Sequence, residues 1–115
     1  MDSPLAVGAT RGSVWRVILE FDSVMYRWAA RTDADWYFAD VPEELSEQIA
    51  EMQHPVARGF GAVRVRAVIG GSEWRTSIFP SASGSYALPL KRAVRDAESL
   101  REGGPLTVRL EIIDV

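Results

Sequence analysis

Ala62 to Ile69 alternate strictly, with Val63, Val65, Ala67 and Ile69 on one face and Arg64 and Arg66 on the other. A period of two is the signature of a half-buried strand. Gly70-Gly71 follows, and Trp74 to Phe79 returns as a second extended run. Two consecutive glycines supply the positive φ angles that a two-residue turn needs, so the two runs form a hairpin. Any fold for this chain must accommodate that hairpin with one face buried.

The same period recurs elsewhere. Trp15, Val17, Leu19 and Phe21 share a face opposite Arg16 and Glu20. Asp22-Ser23 reads as an interruption, and Val24 to Ala30 is extended again, with Tyr26 and Trp28 on one face. A polar turn, Arg31 to Asp35, leads to a third, aromatic-rich run, Trp36 to Val41. Leu106, Val108, Leu110 and Ile112 face inward along a last strand, which ends at Ile113. Two proline-led helices are expected. Pro42 with Glu43 and Glu44 suits a first turn, and Leu45, Ile49 and Met52 make its apolar stripe. Leu88-Pro89 opens the other, with Leu90, Ala93, Val94 and Ala97 as its apolar face and Gly103-Gly104-Pro105 as its stop.

An internal repeat is visible. Phe38-Ala39-Asp40-Val41-Pro42, a helix, then Gly61-Ala62-Val63-Arg64-Val65 forms one copy. Tyr86-Ala87-Leu88-Pro89, a helix, then Gly104-Pro105-Leu106-Thr107-Val108 forms the other. Neither half can bury its own face alone, so both must close around one core. The expectation is a mainly β protein with two short helices, a small barrel of two pseudo-repeated halves. The chain has 115 residues, enough for one domain, placed at 13–115 behind a flexible lead-in at 1–12 that carries Pro4, Gly8 and Gly12.

Composition excludes several function classes. Thirteen basic against sixteen acidic residues give a net charge of −3, so a chain-wide basic footprint for nucleic acid is missing. Cysteine is absent and His54 is the one histidine, which removes disulfides, thiolate sites and histidine-rich metal sites. The residues imply no cofactor and no metal. No apolar run approaches the roughly 18 residues of a membrane span. Met1-Asp2-Ser3-Pro4 lacks the basic and apolar regions of a signal peptide, so a cytoplasmic location is expected.

Trp74-Arg75-Thr76-Ser77-Ile78-Phe79-Pro80, followed by the run from Gly84 through Leu88-Pro89-Leu90-Lys91-Arg92 to Arg95, resembles a bacterial family of unknown function. Its members are sometimes fused to a YdeI/OmpD-associated (bacteriocin-protection) domain. Arg58-Gly59-Phe60-Gly61, Val63-Arg64-Val65, Ile69-Gly70-Gly71 and Trp36-Tyr37-Phe38 leading to Val41-Pro42 carry the same resemblance. It covers about residues 21–113, and the 74–95 run is its most specific part. The resemblance implies a double-split β-barrel, a fold shared with the AbrB/MazE/MraZ-like swapped-hairpin transcription factors. There two chains supply the halves; here one chain holds both. Gly103-Gly104-Pro105 stands where the family usually has Gly-Asp, and the strand at 14–20 is an addition to the family pattern. The family implies a fold and no activity.

Each candidate residue has a structural and a functional reading. His54 before Pro55 suits a helix end, where its charge favours the dipole, better than it suits a general base without a Cys or Ser partner. Lys91, the only lysine, and Arg95 lie four apart on one helix face with Arg92 between them. Placed near a helix N-terminus, they point to a phosphate or carboxylate ligand, or else to local pairing with Asp96 or Glu98. Arg64, Arg66, Arg75 and Arg109 make either a phosphate-reading row or cross-strand ion pairs with Glu20 and Glu111. Trp36 and Trp74 flank polar turns, as tryptophans at a cleft rim would, with Arg75 or Tyr86 as a polar handle. Asp33, Asp35 and Asp40 lack the glycine and distal glutamate of a calcium loop.

The candidate binding set is therefore Trp36, Arg64, Trp74, Arg75, Tyr86, Lys91 and Arg95, with no catalytic residue assigned. The reading it supports first is a module binding a small anionic or aromatic ligand, or a peptide. A protein partner or a homodimer is a further expectation. The second reading is AbrB-like DNA binding, which rests on fold analogy and runs against the charge. The third is a cofactor-free isomerase or cyclase using the barrel interior, for which no catalytic constellation is visible.

Overall fold

The computed structural model describes residues 5–9, 15–28, 36–52, 61–81 and 83–113. Seven strands and two helices follow one another: β1 (Leu5–Ala9), β2 (Trp15–Trp28), β3 (Trp36–Asp40), α1 (Glu43–Met52), β4 (Val63–Ile69), β5 (Ser72–Pro80), β6 (Tyr86–Pro89), α2 (Arg92–Ala97) and β7 (Pro105–Ile112). Strands β2-β3-β6-β5-β4-β7 pair in that order, and β7 pairs back onto β2. The ring is a closed six-stranded antiparallel barrel. Closure leaves none of its six strands as an open edge.

Two strands make closure work. β2 pairs with β7 over Val17–Val24 and with β3 over Met25–Trp28. β5 pairs with β4 over Ser72–Ile78 and with β6 at Phe79 and Pro80. Each long strand thus leaves one partner for another as the sheet bends. The two expected repeat copies are β3-α1-β4 and β6-α2-β7, preceded by β2 and β5, and the register relates the two by a pseudo-two-fold axis. Phe38 pairs with Pro89. Its counterpart is Val41 with Tyr86, where the Val41 N–H donates to the Tyr86 carbonyl at 2.8 Å. Across the barrel, Arg66 faces Glu111 and Val68 faces Arg109, with Ala67 opposite Leu110 on the axis.

Inward-facing residues of all six barrel strands fill the interior, including Leu19, Phe21, Val65, Ile78, Leu88, Val108 and Leu110. The alternation expected for Val63 to Ile69 and for Leu106 to Ile112 is the observed burial pattern. Gly70 takes φ +57° in the hairpin, as the Gly-Gly reading requires. A Cβ there would also collide with the Glu98 carboxylate, which accepts a hydrogen bond from Ser72 at 2.6 Å. In α1, Leu45 and Ile49 are buried. Pro42 sits just ahead of that helix, and its carbonyl accepts the Ser46 N–H at 2.8 Å. No helix among the described residues is long and apolar enough to cross a membrane.

Several expectations need correction. The first twelve residues hold a strand, β1, which pairs antiparallel with β2 from Leu5 opposite Leu19 to Ala9 opposite Trp15. Five short residues with two alanines and a glycine give too little hydrophobic contrast to show a period. Asp22-Ser23 does not interrupt β2. Asp22 Oδ1 accepts the Thr107 hydroxyl at 2.8 Å, and Ser23 donates to the Asp40 carbonyl at 2.7 Å. Neighbouring strands therefore satisfy the polar pair inside the ladder. Leu88-Pro89 ends strand β6 instead of opening a helix, and α2 begins at Arg92. The residue before a proline is pushed out of the helical region, which explains the extended Leu88. Of the expected apolar face of α2, Leu90 and Val94 are buried whereas Ala93 and Ala97 are exposed. His54, Pro55 and the Arg58-Gly59-Phe60 turn, like the polar turn at 31–35, lie outside the described residues.

Candidate functional site

The start of β3, the middle of β5 and the β6–α2 junction meet at one open cleft of about 440 Å³. Three local features bring them there. β3 and β6 pair antiparallel, and the Leu90 N–H continues that pairing by donating to the Tyr37 carbonyl at 2.9 Å. This places the β6–α2 junction against the aromatic start of β3. Lys91 is extended (φ −71°, ψ 159°) at the helix N-cap, so the chain stays extended through the end of β6 and becomes helical only at Arg92. Arg95, one turn into α2, folds back: its Nε donates to the Leu90 carbonyl at 3.0 Å, and its guanidinium lies 4.2 Å from the Tyr37 ring centroid. A cation over an aromatic face is attracted by the ring quadrupole, so Tyr37 and Arg95 hold each other in place.

Trp36 and Trp74 form the aromatic walls. Trp36 is 48% exposed and stacks on Phe38 with centroids 6.4 Å apart and planes 11° from parallel. Trp74 is buried and faces the barrel interior from β5, and its neighbour Arg75 is exposed. The lining contains Arg75, Lys91, Arg92 and Arg95, four cations, and no carboxylate. Arg92 has one exposed acidic neighbour, Asp96, at 3.6 Å. Among the described residues, Arg75 and Lys91 form no ion pair. In a chain of net charge −3, this is a local concentration of positive charge beside apolar walls.

Five of the seven expected binding residues line this cleft: Trp36, Trp74, Arg75, Lys91 and Arg95. Tyr86 does not. Its ring is in the core, its N–H donates to Ser46 Oγ at 3.0 Å, and burial raises its pKa. Arg64 is exposed on β4 opposite Ser77, outside the cleft lining. The dipole argument for Lys91 and Arg95 also lapses, because α2 is only six residues long. Their positions come from the β6–α2 junction instead.

Tyr37 and Arg92 were not among the expected residues, yet both line the cleft. Tyr37 follows Trp36 directly, and alternation alone assigns adjacent residues to opposite faces. The β2–β3 register keeps that alternation from Trp36 onward, and the cleft takes lining from both faces of β3. The second charged feature is separate. Arg66 lies 3.7 Å from Glu111 and 3.5 Å from Glu73, and Glu20 stands directly opposite Arg109 in the β2–β7 register. The arginine row on the outer faces of β4 and β7 is thus interleaved with carboxylates.

Fold and cleft together define a class: a small closed β-barrel of two pseudo-repeated halves, carrying an aromatic, cationic cleft at the β6–α2 junction. Residues 21–110 match the family model of a domain of unknown function, DUF1905. The chain belongs to that family, as the resemblance in its sequence implied. No curated protein matches it.

Proposed function

We propose that this barrel is a binding module for a small anionic ligand with an apolar or aromatic body. The observation that carries the reading is the cleft lining, four cations and no carboxylate between two tryptophans. A cleft of about 440 Å³ is in the range of small-molecule sites, roughly 300–1,000 Å³. Arg75 and Lys91 supply charged donors that have no internal acceptor among the described residues. Arg95 is already anchored by Leu90 and Tyr37, so it shapes the cleft and adds charge.

Benzoate is a suitable probe, read by tryptophan fluorescence, because Trp36 and Trp74 both line the cleft. Arg75→Ala and Lys91→Ala should each weaken it about tenfold, the loss of one charge-assisted hydrogen bond of ~1.5 kcal/mol. Affinity should also fall several-fold between about 0.01 and 1 M salt, as the Debye length shrinks from about 30 to 3 Å. Salt-insensitive binding that survives both substitutions would place the anion elsewhere.

Two observations weigh against the other readings. DNA binding needs an unpaired basic stripe, and Arg66 is held by Glu111 and Glu73. An isomerase or cyclase using the barrel interior would need acid–base groups there, and among the described residues the core cluster offers only Tyr86.

A further inference from the structure

We infer that the anion bound in the cleft is the head of an amphiphile, a linear carboxylate whose hydrocarbon chain lies along the outer face of β2, β3, β6 and β5. The inference rests on the anionic cleft proposed above and adds the class of ligand. A second open groove, of about 410 Å³, adjoins the first and shares Trp36 and Pro89 with it. Tyr26, Trp28, Phe38, Phe79 and Pro80 give it an apolar lining with no charged side chain.

The register explains why these side chains meet. Tyr26 faces Phe38 and Trp28 faces Trp36 across the β2–β3 pair, Phe38 faces Pro89 on β6, and Phe79 neighbours Ala87. All lie on the outside of the barrel, where neither helix covers them. Trp28, Trp36 and Phe79 are 45%, 48% and 42% exposed. A contiguous apolar patch of this kind marks an interaction surface. Arg75 and Phe79 share the outer face of β5 four residues apart, about 13 Å at the strand rise. The two adjoining grooves therefore set a cationic end and an apolar end apart by the length of a medium-sized acyl chain.

The apolar arm favours hydrocarbon over peptide. Barrel closure engages the backbones of β2, β3, β6 and β5 with one another, so an extended peptide finds no ladder to join. Two polar side chains of the arm are also committed: the Tyr26 hydroxyl donates to Asp40, and Ser81 Oγ donates to the Ser85 carbonyl, which leaves the Trp28 and Trp36 indole N–H groups as its side-chain donors.

Calorimetric titration of the full chain with straight-chain carboxylates from butanoate to dodecanoate, below micelle concentrations, tests this. The dissociation constant should fall two- to fourfold per methylene, fourfold being the limit for a fully buried group. It should level off once the chain outruns Phe79, and matched primary alcohols should bind at least tenfold more weakly. Phe79→Ala should flatten the series, and Trp28→Ala repeats the test in the same arm. Lys91→Ala should displace every member by a similar factor. A flat series with butanoate and benzoate still bound would overturn the amphiphile and leave the anionic cleft standing. Failure of every carboxylate would remove the cleft reading beneath it. A wild-type dimer that Phe79→Ala dissociates would assign the apolar arm to a second copy and overturn the inference. Preference for an acidic peptide over every alkanoate would overturn it as well.

Discussion

Tyr26 carries the largest electrostatic perturbation described for a single residue. Burial, the 2.7 Å hydrogen bond to Asp40 Oδ1 and the charge of that carboxylate, in that order, raise its pKa well above the ordinary 10.0. A folded-state value above the unfolded one sets the sign. The contribution is complete well below the unfolded value of 10.0 and is lost as pH rises through it toward the folded value, because the unfolded chain gives up the proton first. Urea unfolding should therefore show stability falling between about pH 9 and 11, and Tyr26→Phe should remove part of that slope. The remainder belongs to Tyr86, raised in the same direction by burial alone. An unchanged slope in Tyr26→Phe would mean that the Asp40 contact has no weight in solution. Residue-scale legibility was uneven for a related reason. Arg75 and Lys91, singled out as cations beside aromatic residues, both line the cleft. Tyr86 was misplaced because β6 has only four residues, with three of them buried. Such a strand has no polar face to set a period.

Elements are tied together here by a few polar side chains, and Ser46 is the one that is fully buried among the described residues. It is 2% exposed on α1, donates to the Val41 carbonyl at 3.1 Å and accepts the Tyr86 N–H at 3.0 Å. One hydroxyl thus joins the first helix to β6 of the other half. Ser46→Ala leaves the buried Tyr86 amide without its acceptor, which costs about 1–3 kcal/mol. Thermal unfolding should report it as a clear drop in Tm, and Ser46→Thr, which keeps the hydroxyl, should recover part of the loss. An alanine variant as stable as the parent would show that water replaces the hydroxyl. Polar residues of this type were also where element boundaries went astray. Asp22-Ser23 looked like a break because sequence does not reveal partners on Thr107 and Asp40, which lie far along the chain. Leu88-Pro89 looked like a helix start because proline suits both a first helical turn and a strand end. The strands with long unbroken alternation, β4 and β7, needed no such information.

At the scale of the molecule, the internal repeat was the most informative signal, since two halves that cannot bury their own faces must close on each other. The closure order was not legible. It depends on β2 and β5 changing partners midway, and a bend in a strand has no residue code of its own. The same closure predicts what the barrel can lose. Among the described residues β1 pairs with β2 alone, and it lies outside the six-strand ring. β2 keeps β7 as a partner from Val17 onward, and the family match begins only at residue 21. Truncation tolerance follows from which backbone and core groups are removed, not from position in the chain. A chain starting at residue 13 should fold with one cooperative transition and lose about 1–3 kcal/mol, the order of a few net backbone hydrogen bonds. By contrast, Leu110→Ala, fully buried on the pseudo-two-fold axis opposite Ala67, should cost about 2–5 kcal/mol. Urea denaturation of the two variants beside the parent gives the comparison directly. If the truncated chain is the less stable of the two, β1 is part of what closes the barrel, and the six-strand ring is not self-sufficient.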